Sequence, residues 1–89
     1  MLDEQTLDEQ MLFKIIGRNV KYYRQLYNIG KTNKERITQE KLAEQIEVST
    51  SLIGNLESEK TPQGIGVFTL WKISKALNIP IQALFTPLD

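Results

Sequence analysis

Cysteine and histidine are both missing from this chain of 89 residues. Without cysteine there is no disulfide and no thiolate metal site, a composition that fits a reducing compartment. Without histidine the commonest general base and metal ligand are gone as well. Long apolar runs are lacking too, since none approaches the roughly 20 residues needed to cross a bilayer. The N-terminus, MLDEQTLDEQ, is acidic where a secretory signal would be basic and then apolar. The expectation is a soluble cytoplasmic protein with no membrane segment, no metal, no cofactor and no evident small-molecule ligand. No nucleophile, base or paired acids are arranged for catalysis, so an enzyme is not expected and no catalytic residue is assigned.

Repeats and low-complexity segments are absent, so residues 11–89 read as one domain behind an acidic extension, residues 1–10. Such a domain lies near the lower limit for a self-sufficient core, which makes a stabilising partner plausible on size alone. The formal net charge of zero hides an asymmetry, because Asp3, Glu4, Asp8 and Glu9 all fall within the first ten residues. From residue 11 onward eleven basic groups face seven acidic ones, a surplus of four. Lys14, Arg18, Lys21, Arg24, Lys31, Lys34 and Arg36 stand against Glu35 alone between residues 14 and 36. A polyanion would suit that stretch, although a merely solvated helix face has the same pattern.

Helical periodicity organises most of the chain. TLDE at 6–9 offers a capping box opening a first helix at Thr6. Leu12, Ile16, Val20, Tyr23 and Tyr27 then recur at three- and four-residue spacing as a single buried stripe, with Gly30 as the stop. The polar stretch GKTNKER, 30–36, reads as an exposed loop. Its GKT is not a phosphate loop, because that motif needs a glycine where Gln25 stands. Thr38 caps a second helix with Leu42, Ala43 and Ile46 inward, and Ser49 caps a third running to about Ser58. A fourth, after a loop with Pro62, Gly64 and Gly66, is expected to turn Phe68, Leu70, Trp71, Ile73, Ala76 and Leu77 into the core. PIQALF makes a short fifth, its Pro80 tolerated in a first turn. Nothing alternates as a strand, so the fold class is all-α with five helices.

The third helix carries the functional signal. At about 100° per residue, Ile53 and Leu56 share one side with Leu52 at its edge. Ser51, Gly54, Asn55 and Ser58 cluster opposite, and Thr50 projects from the N-terminal end. An apolar face tied to a domain and an outward face of small hydrogen-bonding groups is what a helix in a DNA major groove requires. A helix selected only for solubility would more usually carry Lys and Glu there.

Gly17, Arg24, Gln39, Leu42, Ala43, Ile46, Val48, Ser49, Ile53, Leu56 and Glu57, followed by Leu70, Ile73, Ala76, Leu77, Ile79 and Leu84, form one ordered pattern. In it, residues 17–85, about three quarters of the chain, resemble the helix-turn-helix domain of the Cro and lambda-repressor-like (XRE) family. The resemblance implies a sequence-specific double-stranded DNA-binding regulator, of repressor type and homodimeric. By the same resemblance the helix-turn-helix spans about 38–58. Thr50, Ser51, Asn55 and Gly54 read bases, and Gln39 grips phosphate at the start of helix two. Further phosphate contacts are expected from Ser49, Lys60, Thr61, Lys31, Lys34 and Arg36. Arg24 is expected to pair with Glu57 as a scaffold bridge. The glycine at position 54 costs roughly 1 kcal/mol inside a helix, which either a close approach to DNA or close helix packing would justify. Ile81, Phe85 and Leu88 are candidates for a dimer interface, with completion of the monomer core as the competing reading.

Three features depart from the family pattern. The span from helix one to helix two is longer than usual, and TPQGIGV lengthens the connection before helix four. Glu47 stands where the tight turn usually has glycine; it either keeps left-handed backbone at roughly 1–2 kcal/mol or alters the turn. The acidic N-terminus also keeps open an antitoxin-like or anti-repressor protein-interaction module that uses the fold without specific DNA binding.

Overall fold

A computed structural model describes residues 8–59 and 63–88. Asp8 opens the first helix, its carboxylate accepting from the Gln10 backbone N–H at 2.9 Å. The capping box expected at Thr6 lies outside the described residues, and Glu9 sits in the first turn instead. An aspartate is at least as good a cap as threonine and adds a negative charge at the positive end of the helix. The helix, α1, covers Glu9–Tyr27. It is followed by α2 (Gln39–Ile46), α3 (Thr50–Ser58), α4 (Val67–Ala76) and a 3₁₀ helix, Ile81–Phe85. The fold is all-α, with no strand among the described residues. The fifth element is 3₁₀ rather than α: Pro80 precedes it in extended backbone, and five residues are too few to settle into an α-helical ladder.

Asn28 ends α1, and Gly30 turns the chain away at φ +79°, the left-handed region expected there. The long connection that follows closes on its own base. The Asn28 side chain donates to the Ile37 carbonyl at 2.9 Å and accepts from the Ile37 N–H at 2.7 Å. Between these ends Glu35 accepts from both the backbone N–H (3.1 Å) and the hydroxyl (2.8 Å) of Thr32. The backbone hydrogen bond from Thr32 holds the Glu35 carboxyl below its usual range. The segment is thus a small loop with joined ends.

One core holds the elements together. Ile16 and Val20 come from α1, Leu42, Ala43 and Ile46 from α2, Ile53 and Leu56 from α3, Leu70 and Ile73 from α4 with Leu77 at its end, and Leu84 from the 3₁₀ helix. Tyr23, Tyr27 and Ala76 are half-buried against it. Leu12, expected in the buried stripe, is exposed. Phe68 and Trp71, expected inside, are 67% and 47% exposed and stack on each other with centroids 6.1 Å apart. The reason is angular: at about 100° per residue they lie roughly 120–180° from the direction shared by Leu70, Ile73 and Leu77. An element with apolar residues all round can turn only one side inward.

Two long-range ties fix the outer elements. Asn19, fully buried, uses its amide nitrogen to reach the carbonyls of Leu84 at 2.8 Å, Thr86 at 2.9 Å and Ala83 at 3.2 Å, which holds the 3₁₀ helix on α1. Lys72 donates to the Ile46 carbonyl at 2.6 Å and so caps the C-terminal end of α2 from α4.

The turn between α2 and α3 keeps the left-handed geometry despite its residue. Glu47 has φ 61° and ψ 46°, with its N–H on the Glu44 carbonyl and the Val48 N–H on the Ala43 carbonyl at 2.9 Å. This pair of bonds is the Schellman arrangement, and its second bond pulls Val48 against the core. The left-handed cost of about 1–2 kcal/mol is therefore present in the folded state. Glu47→Gly is expected to raise stability by about 0.5–1 kcal/mol, the relief being partly offset by the freer unfolded chain, as urea denaturation would measure. An unchanged or lower midpoint would mean that the Glu47 side chain contributes contacts of its own.

Candidate nucleic-acid interface

Two caps start the two helices of the unit. Thr38 accepts from the Lys41 N–H at 3.0 Å and Ser49 from the Leu52 N–H at 3.1 Å, both as the sequence indicates. Because Thr38 also anchors the Leu42 N–H through its carbonyl, the N–H groups of Gln39 and Glu40 at the head of α2 remain for an outside acceptor.

Thr50, Ser51 and Asn55 are exposed on α3, and their side chains make no hydrogen bond to any described residue. They present donors and acceptors that nothing in the fold uses. Gly54 lies among them. A Cβ there would touch only the Gln39 Oε1, at 3.6 Å, an ordinary contact. Helix packing therefore does not require this glycine, and its bare backbone widens the approach to α3 beside Gln39. Tight packing falls at Gly17 instead, where a Cβ would stand 1.9 Å from the Leu56 carbonyl oxygen.

Beneath the outward face, Glu57 is only 3% exposed. Arg24 grips it with two parallel bonds, Nε to Oε2 at 2.8 Å and Nη2 to Oε1 at 2.9 Å. The same Oε1 accepts from Gln39 Nε2 at 3.0 Å. Arg24 Nη1 also donates to the Ile37 carbonyl at 3.3 Å, the carbonyl that Asn28 holds. The hydrogen bond to Glu57 keeps the Arg24 guanidinium more firmly protonated than usual, against the opposing effect of burial. One network thus joins α1, the base of the long loop, the head of α2 and the end of α3. Gln39 was expected to face phosphate directly; here one N–H of its amide is engaged with Glu57, which leaves the second for an outside acceptor.

The loop cations differ in their surroundings. Lys31 sits 4.1 Å from the centre of the Tyr27 ring, and Arg36 Nε donates to the Lys31 carbonyl at 3.2 Å. Lys41 ties the loop tip to α2 through the carbonyls of Lys34 (3.2 Å) and Asn33 (3.4 Å). The Lys34 ammonium meets no described partner. Lys60 and Thr61 lie outside the described residues. Of the C-terminal apolar trio, Ile81 is half-buried on the core, Leu88 is half-buried in a cleft beside α1, and Phe85 is exposed. Asn28, Asn19 and Lys72 were not singled out from sequence. Their partners are nine, 64 or more, and 26 positions away, beyond any local spacing signal.

Two short helices packed on each other and joined by a left-handed turn, the second with its polar face outward, make a helix-turn-helix. A family model described as helix-turn-helix matches residues 33–84, more than half of the chain. The chain belongs to the XRE helix-turn-helix family. It is accordingly a DNA-binding helix-turn-helix protein of the transcription-regulator kind. Comparisons with curated proteins and with solved structures found no match. The XRE match begins inside the long loop and ends at Leu84, so α1 lies outside it although Arg24 and Gly17 of that helix set how α3 is held. Among the described residues no helix is long and apolar enough to cross a membrane, and no group of acidic side chains is arranged to hold a metal.

Proposed function

We propose that this protein is a sequence-specific repressor that binds double-stranded DNA as a homodimer in the cytoplasm, with α3 in the major groove of each half-site. The supporting observation is the unspent hydrogen-bonding face of Thr50, Ser51 and Asn55 around a bare Gly54, held at a fixed angle by Arg24, Glu57 and Gln39. In this reading Asn55 makes a paired contact to adenine, and the Thr50 and Ser51 hydroxyls complete the base contacts. Gln39, Ser49 and the open N–H groups of α2 hold one phosphate strand, joined by Lys31, Lys34, Arg36, Lys60 and Thr61. One half-site read by a few neutral hydrogen bonds binds weakly, so two copies on half-sites about one helical turn apart supply the affinity.

Binding to DNA from upstream of its own gene, measured at several salt concentrations beside a scrambled duplex, tests this. A steep loss with salt together with a strong preference for one sequence supports the reading; equal, weak binding to both sinks it and favours a protein-interaction module. The stacked Phe68 and Trp71 on the surface are what that second reading would use. Asn55→Ala is expected to lose about 1–3 kcal/mol on the preferred site and to relax base choice at one position, read by site selection with the variant. An unchanged preferred site would mean that α3 docks in another register.

A further inference from the structure

α1 has more apolar surface than its core can use. Its 19 residues extend for about 28 Å. Ile16 and Val20 point to the core, Gly17 and Arg24 meet α3, and Asn19 meets the 3₁₀ helix. About 130° from the core direction, at about 100° per residue, runs a second stripe: Met11, Ile15, Tyr22, Leu26 and, in the turn after the helix, Ile29. Met11, Tyr22 and Leu26 are each nearly half exposed, and Ile29 is 72% exposed. Arg18 fills the one gap in the spacing.

This stripe is nearly symmetric about position 20. Met11 answers to Ile29, Arg18 to Tyr22, and Ile15 to Leu26 within one residue. A face with that property fits an antiparallel copy of itself, as a two-fold contact requires. Relief matches the symmetry as well. Met11, Ile15, Arg18, Pro87 and Leu88 border a cleft of about 210 Å³ at the N-terminal end, and Ile29 projects at the other end beside a hollow of about 280 Å³ bordered by Gln25 and Arg36. Antiparallel pairing brings the knob of each copy over the cleft of the other. It also sets Asp8 beside the partner subunit's Lys31, an attractive pairing, while the Arg18 guanidinium stays on the Glu59 carboxylate of its own copy at 2.7 Å.

We propose that a second copy of this chain packs on this face, α1 antiparallel to α1, with Ile29 of each copy seated in the Met11, Ile15 and Leu88 cleft of the other. It gives a surface to the dimer of the proposed function, and Leu88 of the C-terminal trio belongs to it. The α3 contact lies about 155° around α1 from this stripe, so the reading face of α3 stays open.

Sedimentation equilibrium of the full chain without DNA, over a micromolar concentration series, tests the pairing separately from any DNA reading. The wild type is expected to dimerise, and Ile29→Asp and Met11→Asp to weaken it about thirtyfold or more, with helical circular dichroism unchanged. Phe68→Asp is expected to leave it intact. Since the chain has no cysteine, mixing Met11→Cys copies with Ile29→Cys copies should yield a disulfide-linked dimer that neither variant gives alone. A wild type that stays monomeric, a dimer that Ile29→Asp leaves whole, or one that Phe68→Asp breaks overturns the proposal. Loss of DNA preference with the dimer intact counts against the DNA reading only.

Discussion

Gly17→Ala is expected to cost about 3 kcal/mol or more, although alanine is the better helix former by about 1 kcal/mol. The added methyl would stand 1.9 Å from the Leu56 carbonyl oxygen and 3.0 Å from its carbon, and both are backbone atoms that no rotamer change can move aside. α1 and α3 would have to part by more than 1 Å, roughly, which is beyond what ordinary overpacking in a core demands. That separation would also stretch the Arg24 to Glu57 bonds one helical turn or two further along. For a domain this small the loss is a large share of the total, so the urea midpoint should fall steeply and folding at physiological temperature should become incomplete. A variant that melts like the wild type would mean that the two helices do not approach so closely.

Arg24→Ala is expected to cost about 3–5 kcal/mol, because it leaves a buried carboxylate with no opposite charge. Glu57 would retain only the Gln39 amide, a neutral donor. Arg24→Lys should recover only part of the loss, since an ammonium cannot make the two parallel bonds seen here or reach the Ile37 carbonyl at the same time. Replacing both partners by apolar residues, Arg24→Met with Glu57→Leu, is expected to restore most of the thermal stability, as removing a whole buried pair often does. DNA affinity should not return with it, because the angle of α3 would no longer be set. Calorimetric melting and a binding titration on the same variants separate the two effects. Equal melting temperatures for wild type and Arg24→Ala would count against the bridge.

What could be read from sequence and what could not divides along a physical line. Caps were legible because they act within three residues: Thr38 and Ser49 stand where their spacing to Lys41 and Leu52 requires. The buried sides of α2 and α3 were legible because each has only one apolar side. α1 and α4 have two, and periodicity alone does not say which turns inward; Leu12, Phe68 and Trp71 were assigned to the core and lie outside it. The resemblance to the XRE pattern carried Arg24 and Glu57 together across 33 positions, a pairing that spacing could not supply. It also directed Gln39 outward to phosphate, while its contact with Glu57 depends on how α2 and α3 cross. Gly17 was part of the pattern with no reason attached, and the reason is a tertiary distance. At Glu47 the residue type left two outcomes open, and the bonds from Glu47 and Val48 back into α2 decide for the left-handed one.

The two bonds between Asn28 and Ile37 fix where the long loop leaves the fold and where it rejoins it. Beyond those ends the fold holds the loop through Lys41 of α2, on the Lys34 and Asn33 carbonyls, and through the Tyr27 ring under Lys31. Doubling the length in between would add only about 0.6 kcal/mol of closure entropy. Changes of length between the two ends should therefore be borne by the core, provided that Lys31, Lys34 and Arg36, which the proposed function sets on phosphate, are kept.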